Sequence, residues 1–177
     1  MTAAEDVTES RLLLAEYDRI KEEQRARIGF RDNLVYVTLA ASTGILAVAV
    51  QSAQPRILLA VPVICLILGW TYLINDEKIS AIGCYIRERL GPRLGELAGV
   101  RGVVFGWEEH HRQDAGRLTR KRLQTAADLL TYVGLPVVCV AAFLCSPAAQ
   151  PVLVAVSLAE AAGLTVLGRQ FLRYAER

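Results

Sequence analysis

Residues 34–74 read LVYVTLAASTGILAVAVQSAQPRILLAVPVICLILGWTYLI, and Arg56 is the one charged residue among them. Two apolar runs, 34–53 and 57–74, meet at a short turn around 51–56. Each run has the ~17–20 residues that a helix needs to cross ~30 Å of hydrocarbon at ~1.5 Å per residue. The stretch therefore reads as a membrane hairpin, and the rest of the chain is placed relative to it.

A chain of 177 residues that is 53% apolar is compatible with a soluble domain, so the distribution of charge decides the class. Charge is almost absent from 34–75 and again from 129–168, and it crowds into the segments outside them. The second block supplies a third span from Asp128 or Leu129 to Cys145, a turn SPAAQP, and a fourth span over 152–171. The predicted fold is all-α: four transmembrane helices in two hairpins, with cytoplasmic helical extensions. Its divisions are an N-terminal helix (1–33), a first hairpin (34–75), a helix–loop–helix (76–127), a second hairpin (128–171) and a tail (172–177). Gly134 and Pro136 predict a kink in the third span.

Orientation follows from the 20 Lys and Arg residues. Nineteen lie in the N-terminal, central and C-terminal segments, and only Arg56 lies in a hairpin turn. By the positive-inside rule both termini and the central segment are expected in the cytoplasm, in a bacterial inner membrane. The acidic opening (Glu5, Asp6, Glu9) does not read as a signal peptide. A net charge of +2 gives no case for binding a nucleic-acid duplex. Cys65, Cys139 and Cys145 fall in spans and Cys84 on the cytoplasmic side, which suggests no disulfide framework.

Outside the spans, 8–33 carries Leu13, Tyr17, Ile20, Gln24 and Ile28 at helical spacing, with Thr8 or Ser10 as a candidate cap. No breaker precedes Leu34, so this helix is expected to run straight into the first span. The second span is expected to continue outward along a stripe of Ile79, Ile82, Ile86 and Leu90, and to pack on the N-terminal helix. Segment 91–106 has glycine at 91, 95, 99, 102 and 106 with Pro92, and reads as a loop. It is not a phosphate loop, because no strand precedes it and no Gly-Lys-Ser/Thr follows. A polar helix over 107–127 then leads to the third span, with Glu108 and Arg112 spaced as a pair.

Few residues offer chemistry. Glu160 is the single acid within a span, and an ionised carboxylate there costs at least a few kcal/mol, so it is expected to be neutral, paired or facing a water-filled cavity. Its bland alternative is a packing hydrogen bond to Thr38, Ser42 or Thr131. Thr38 and Ser42 stand one turn apart in the first span and either line a polar path or bond back to their own helix. Ala40 and Gly44 form a small-xxx-small packing pair. The basic cluster Arg117, Arg120, Lys121 and Arg122 precedes the third span; it either contacts lipid headgroups or receives an anionic ligand such as a nucleotide. His110 and His111 point about 100° apart on a helix and lack a metal-ligand spacing. No nucleophile–base arrangement emerges, so neither an enzyme nor a cofactor is expected.

The segments LLLAEYDRIKEEQRARI (12–28), WTYLINDEKISAIGCYIRERLGPRL (70–94) and FGWE (105–108) resemble a group of small bacterial, notably actinobacterial, membrane proteins, most without an assigned function. The resemblance rests on Glu16, Tyr17, Arg27, Trp70, Asp76, Ile82, Gly83, Tyr85, Ile86, Pro92, Gly106, Trp107 and Glu108. In helix layout the chain is also similar to SLATT-type membrane effectors of bacterial conflict systems, although those usually have two spans. That similarity implies an oligomeric pore opened by a cytoplasmic signal, with an antiphage role, and transfers no individual site. The resulting expectation is a homo-oligomeric, channel-like effector in the lipid bilayer, answering a cytoplasmic nucleotide or protein partner. Its alternatives are a non-conducting anchor for a soluble partner and a small proton-coupled transporter using Glu160.

Overall fold

The computed structural model describes residues 3–100, 102, 104–106 and 116–175. All secondary structure among them is helical. Helix α1 covers Ala3–Ser52, and a short 3-10 turn, Pro55–Leu59, leads into α2, Ala60–Tyr85. A π turn, Ile86–Leu90, joins α2 to α3, Gly91–Ala98. Helix α4, Arg117–Leu129, passes through a second π turn, Leu130–Gly134, into α5, Leu135–Leu144, and α6 covers Pro151–Ala175. Four of the resulting helical stretches are long and apolar enough to cross a membrane: Glu9–Ser52, Pro55–Ala98, Thr119–Leu144 and Pro151–Tyr174. The chain is an all-α, multi-pass membrane protein. As expected, the N-terminal helix continues into the first span without a break, although it starts at Ala3, ahead of both Thr8 and Ser10. Residues 3–6 (AAED) are mostly good helix formers, so no cap is needed at Thr8.

The chain divides into two compact units. The first comprises Met1–Phe30 and Asn75–Arg117, the second Arg31–Ile74 and Leu118–Arg177. The second unit holds the apolar spans. Its core joins Leu34, Tyr72, Leu73, Tyr132, Leu167 and Phe171, with the Tyr132 and Phe171 rings stacked at 5.8 Å. A second cluster joins Val61, Cys65 and Cys139, with Ile45, Leu46, Leu58 and Leu135 against it. Close backbone approach is built in at Gly69, where a Cβ would stand 2.9 Å from Leu167 Cδ2 and 3.0 Å from Tyr132 Cδ1.

The break expected from Gly134 and Pro136 takes the form of the π turn. The Leu135 N–H bonds to the Leu130 carbonyl, which resets the ladder so that Pro136 falls in the first turn of α5, where no N–H is required. The same device recurs before Pro92, with the Gly91 N–H bonded to the Ile86 carbonyl.

In the first unit Ile86, Leu90 and Leu94 form a core with Leu13, Tyr17, Ile20, Ile82 and Phe105 against it, so the two predicted stripes do pack together. The Tyr17 and Phe105 rings stack at 4.3 Å. Two side-chain amides clasp the helices reciprocally: Gln24 Nε2 donates to the Ile79 carbonyl at 3.4 Å, and Asn75 Nδ2 donates to the Arg27 carbonyl at 2.7 Å. Two sequence expectations need correction here. Ile28 is exposed, and Arg27 takes the inward position, because a 3.6-residue period carries the face 13–17–20–24 on to 27. The expected loop at 91–106 contains α3 instead. Its glycines serve close contact and termination: a Cβ on Gly95 would meet Val104 Cγ2 at 3.0 Å, and Gly99 at φ 64 closes the helix with its N–H on Glu96.

The Gly69 contact makes a specific prediction. Gly69→Val forces Leu167 and the Tyr132 ring apart and lowers the detergent-phase thermal midpoint by an amount equivalent to about 1–3 kcal/mol. Gly44→Val, where an added Cβ meets nothing within 4 Å, leaves the midpoint of the monomer unchanged.

Candidate functional site

Five polar or charged residues are buried among the described residues, and four of them, Thr38, Ser42, Ser157 and Glu160, belong to the spanning unit. Helical phase explains this placement. On α1 the inward face runs Leu34, Thr38, Ser42 and, further on, Ala49; on α6 it runs Ser157, Glu160, Leu164, Leu167 and Phe171. Glu160 thus occupies a position that its neighbours fill with apolar side chains. It lies as far along α6 from Pro151 as from Arg169, roughly 13 Å each way by the helical rise.

Glu160 is 6% exposed, and neither carboxyl oxygen has a hydrogen-bond partner among the described residues. The hydroxyls of the spans have other partners. Thr38 Oγ1 donates to the Leu34 carbonyl at 2.7 Å, Ser157 Oγ to Leu153 at 2.8 Å, and Thr131 Oγ1 to Ala127 at 2.9 Å. Ser42 Oγ pairs with Cys65 Sγ at 4.0 Å, and that thiol donates to the Thr131 carbonyl at 3.8 Å. None of the packing bonds expected between Glu160 and Thr38, Ser42 or Thr131 is formed. An unpartnered polar group in such surroundings costs a few kcal/mol, which is why an intramembrane acid of this kind marks function by default.

Helical register orders these groups by depth. Gly163 stands against Leu66 and Gly69 against Leu167, so α2 and α6 run side by side in the same direction. The Ser42–Cys65 pair is level with this contact, and Glu160 lies about one turn, roughly 5 Å, beyond it. Thr38 lies one turn to the other side, near Tyr132. Ser42 and Glu160 are therefore close in depth, whereas Thr38 and Glu160 are separated by about two turns.

Sequence reasoning missed three members of this interior. Tyr132 is fully buried, its hydroxyl has no hydrogen-bond partner among the described residues, and it approaches Thr38. Tyr72 Oη donates to Asp128 Oδ2 at 3.0 Å and accepts from Gln124 Nε2 at 3.3 Å, at the charged end of the unit. The available signal was the aromatic-plus-acid spacing of Asp128 and Tyr132, one turn apart at the start of the third span. Ser157, one turn before Glu160, carried the same kind of signal.

The basic cluster resolves differently. Arg117 opens α4, with its side chain outside the described set; Arg120 and Arg122 are exposed, and Lys121 is half-buried. Trp107, Glu108, His110, His111 and Arg112 lie outside the described residues. In the first unit, Tyr85 Oη donates to Glu16 Oε1 at 2.7 Å, and that carboxylate holds the phenol above its ordinary value. Arg93 grips Glu9 Oε1 with Nε at 2.8 Å and Nη2 at 2.7 Å.

The chain matches no protein-family model, no curated protein and no solved structure. Tyr72→Phe removes the donor to Asp128 and the acceptor for Gln124; the expected loss is about 0.5–2 kcal/mol, measured by thermal unfolding in detergent, with the helix content unchanged.

Proposed function

We propose that this chain is a homo-oligomeric, channel-like protein of the bacterial inner membrane, whose spans permeabilise the bilayer when the cytoplasmic helices receive a signal. The observation that carries this reading is Glu160, a mid-span acid sealed inside the four-helix unit with both oxygens unpartnered among the described residues. A side chain placed at such expense suits a unit that changes state, because hydration of the interior relieves the unpaired carboxyl. Thr38, Ser42 and Glu160 all face inward, so the responsive path belongs to the interior of each protomer's spans. Assembly into oligomers draws on α1, where Ala40 and Gly44 are exposed and form a small-residue face that admits close helix approach.

The signal is received, in this reading, by the helices outside the membrane, either as a protein partner or as an anionic nucleotide at the basic start of α4 (Arg117, Arg120, Lys121, Arg122). An antiphage role is consistent with a protein that is silent until triggered. The excess of Lys and Arg outside the hairpin turns supports cytoplasmic termini.

A second reading, a non-conducting anchor for a soluble partner, is favoured by the hydroxyls of Thr38 and Ser157, which bond back to their own helices and leave α1 and α6 with few free donors. Glu160→Gln separates the two. In proteoliposomes the channel reading predicts wild-type assembly by native mass spectrometry together with altered ion flux. Lost assembly would assign Glu160 to packing, and unchanged assembly with no flux from either protein would leave the anchor.

A further inference from the structure

The polar atoms inside the spans are not scattered. They succeed one another in depth from the charged end of the spanning unit to its middle. Asp128 and Gln124 hold the Tyr72 hydroxyl at the charged end. The Tyr72 ring lies 5.2 Å from that of Tyr132, whose own hydroxyl is unpartnered among the described residues and approaches Thr38. One turn deeper is the Ser42–Cys65 pair, and about one turn beyond it is Glu160. On the far side of Glu160 the buried polar side chain among the described residues is Ser157, whose hydroxyl donates to the Leu153 carbonyl. Beyond it toward the hairpin turns the buried side chains are apolar, among them Ala49, Leu59, Val61, Val140 and Phe143.

From this we infer that the buried polar side chains form a proton-access path that runs from Asp128 and Tyr72 past Tyr132, Thr38 and Ser42 to Glu160, and that the species exchanged with the interior is the proton. The inference rests on the permeability reading above and names its ion. Steps too long for direct hydrogen bonds are bridged by water, which is favourable where two polar groups face a shared gap. The Thr38 hydroxyl, which donates to the Leu34 carbonyl, and the Ser42 hydroxyl, which pairs with Cys65 Sγ, both keep lone pairs and so still accept a hydrogen bond from a bridging water. The transfer is balanced: a proton enters from water at the Asp128 end and passes along the oxygens to Glu160, while the proton it displaces from the Glu160 carboxyl returns along the same oxygens to that water, so no net charge is left inside.

A metal cation fits these groups poorly. Selective conduction of such an ion requires rings of oxygens that replace its hydration shell, whereas the interior offers one carboxyl and a single file of hydroxyls. A proton needs only one acceptor at a time. The titratable and charged groups that face the path are Arg31 on α1, Cys65 and Tyr72 on α2, and Asp128, Tyr132 and Cys139 on the third span. Among the described residues no Lys or Arg is buried with them to hold Glu160 as a fixed anion.

The test uses the full chain in phosphatidylethanolamine–phosphatidylglycerol vesicles. Infrared spectroscopy identifies the Glu160 carboxylic acid as the band lost in Glu160→Gln, and transfer into deuterated buffer gives its exchange rate. Tyr132→Phe and Thr38→Val preserve shape, and retention of the thermal midpoint confirms that each variant folds. The path predicts that each slows the exchange by about tenfold or more, the effect of leaving one hydrogen-bonding step unmade. Exchange as fast as in the wild type in both variants, or the absence of a carboxylic-acid band assignable to Glu160, overturns the inference. Thallium flux with unaltered Glu160 exchange in both variants also overturns the path, while leaving the permeability reading intact. Vesicles impermeable to every ion, with exchange slowed in both variants, remove that reading and retain the path to a proton-binding site.

Discussion

Hydrocarbon cannot hydrogen-bond to a peptide group, and the spans of this chain are arranged around that constraint. Within the apolar core each N–H and C=O must be satisfied along its own helix, so long uninterrupted helices are the available solution. Helix α1 meets the requirement over Ala3–Ser52. The third span meets it despite Pro136 by inserting the π turn Leu130–Gly134, which moves the proline to a position where its missing N–H goes unnoticed. Repetition of that solution at Ile86–Leu90 before Pro92 shows a general response to proline within a long helix rather than a local accident.

The same constraint governs the interior side chains. Thr38, Ser157 and Thr131 spend their hydroxyl protons on carbonyls of the preceding turn, which is the ready way to bury a hydroxyl without help from a neighbour. An ionised carboxylate has no such recourse, having no proton to donate and no free N–H to reach in mid-helix, and neither oxygen of Glu160 meets a carbonyl to which a protonated carboxyl would donate. Among the described residues the buried side-chain groups left without a partner are the Glu160 carboxyl and the Tyr132 hydroxyl, and of the two only Glu160 is an acid. Tyr132 is the lesser case: its ring is held by Tyr72 and Phe171, and its hydroxyl is left over.

In the first unit water is available and the logic changes. Polar groups there are used between helices instead of within them. The reciprocal bonds of Gln24 to the Ile79 carbonyl and of Asn75 to the Arg27 carbonyl fix the relative register of α1 and α2 in that unit. The ion pair of Arg93 with Glu9 and the bond of Tyr85 to Glu16 extend the same fastening along the helices. Exposed pairs of this kind contribute little individually, so the buried amide of Asn75 is the stronger determinant.

Hydropathy is a local property of a chain, and for that reason the sequence by itself determined the four spans, the continuation of α1 and α2 beyond the apolar runs, and the singular position of Glu160. The stripe of Ile82, Ile86 and Leu90 was legible for the same reason. What only the tertiary structure decided depends on rotation and register, which many distant residues set together. The sequence reading placed Ile28 on the inward stripe, and in the structure Arg27 takes that position, in contact with Asn75, while Ile28 is exposed. Glycines spaced through 91–106 read as a loop until Leu94 was buried and Gly95 met Val104, which made a helix of 91–98. Whether Thr38, Ser42 and Glu160 shared partners was likewise undecidable from spacing, because a hydrogen bond requires two helices to agree in phase and depth within a few tenths of an ångström. In this fold they do not, and Glu160 is left with its carboxyl unanswered at the centre of the spans.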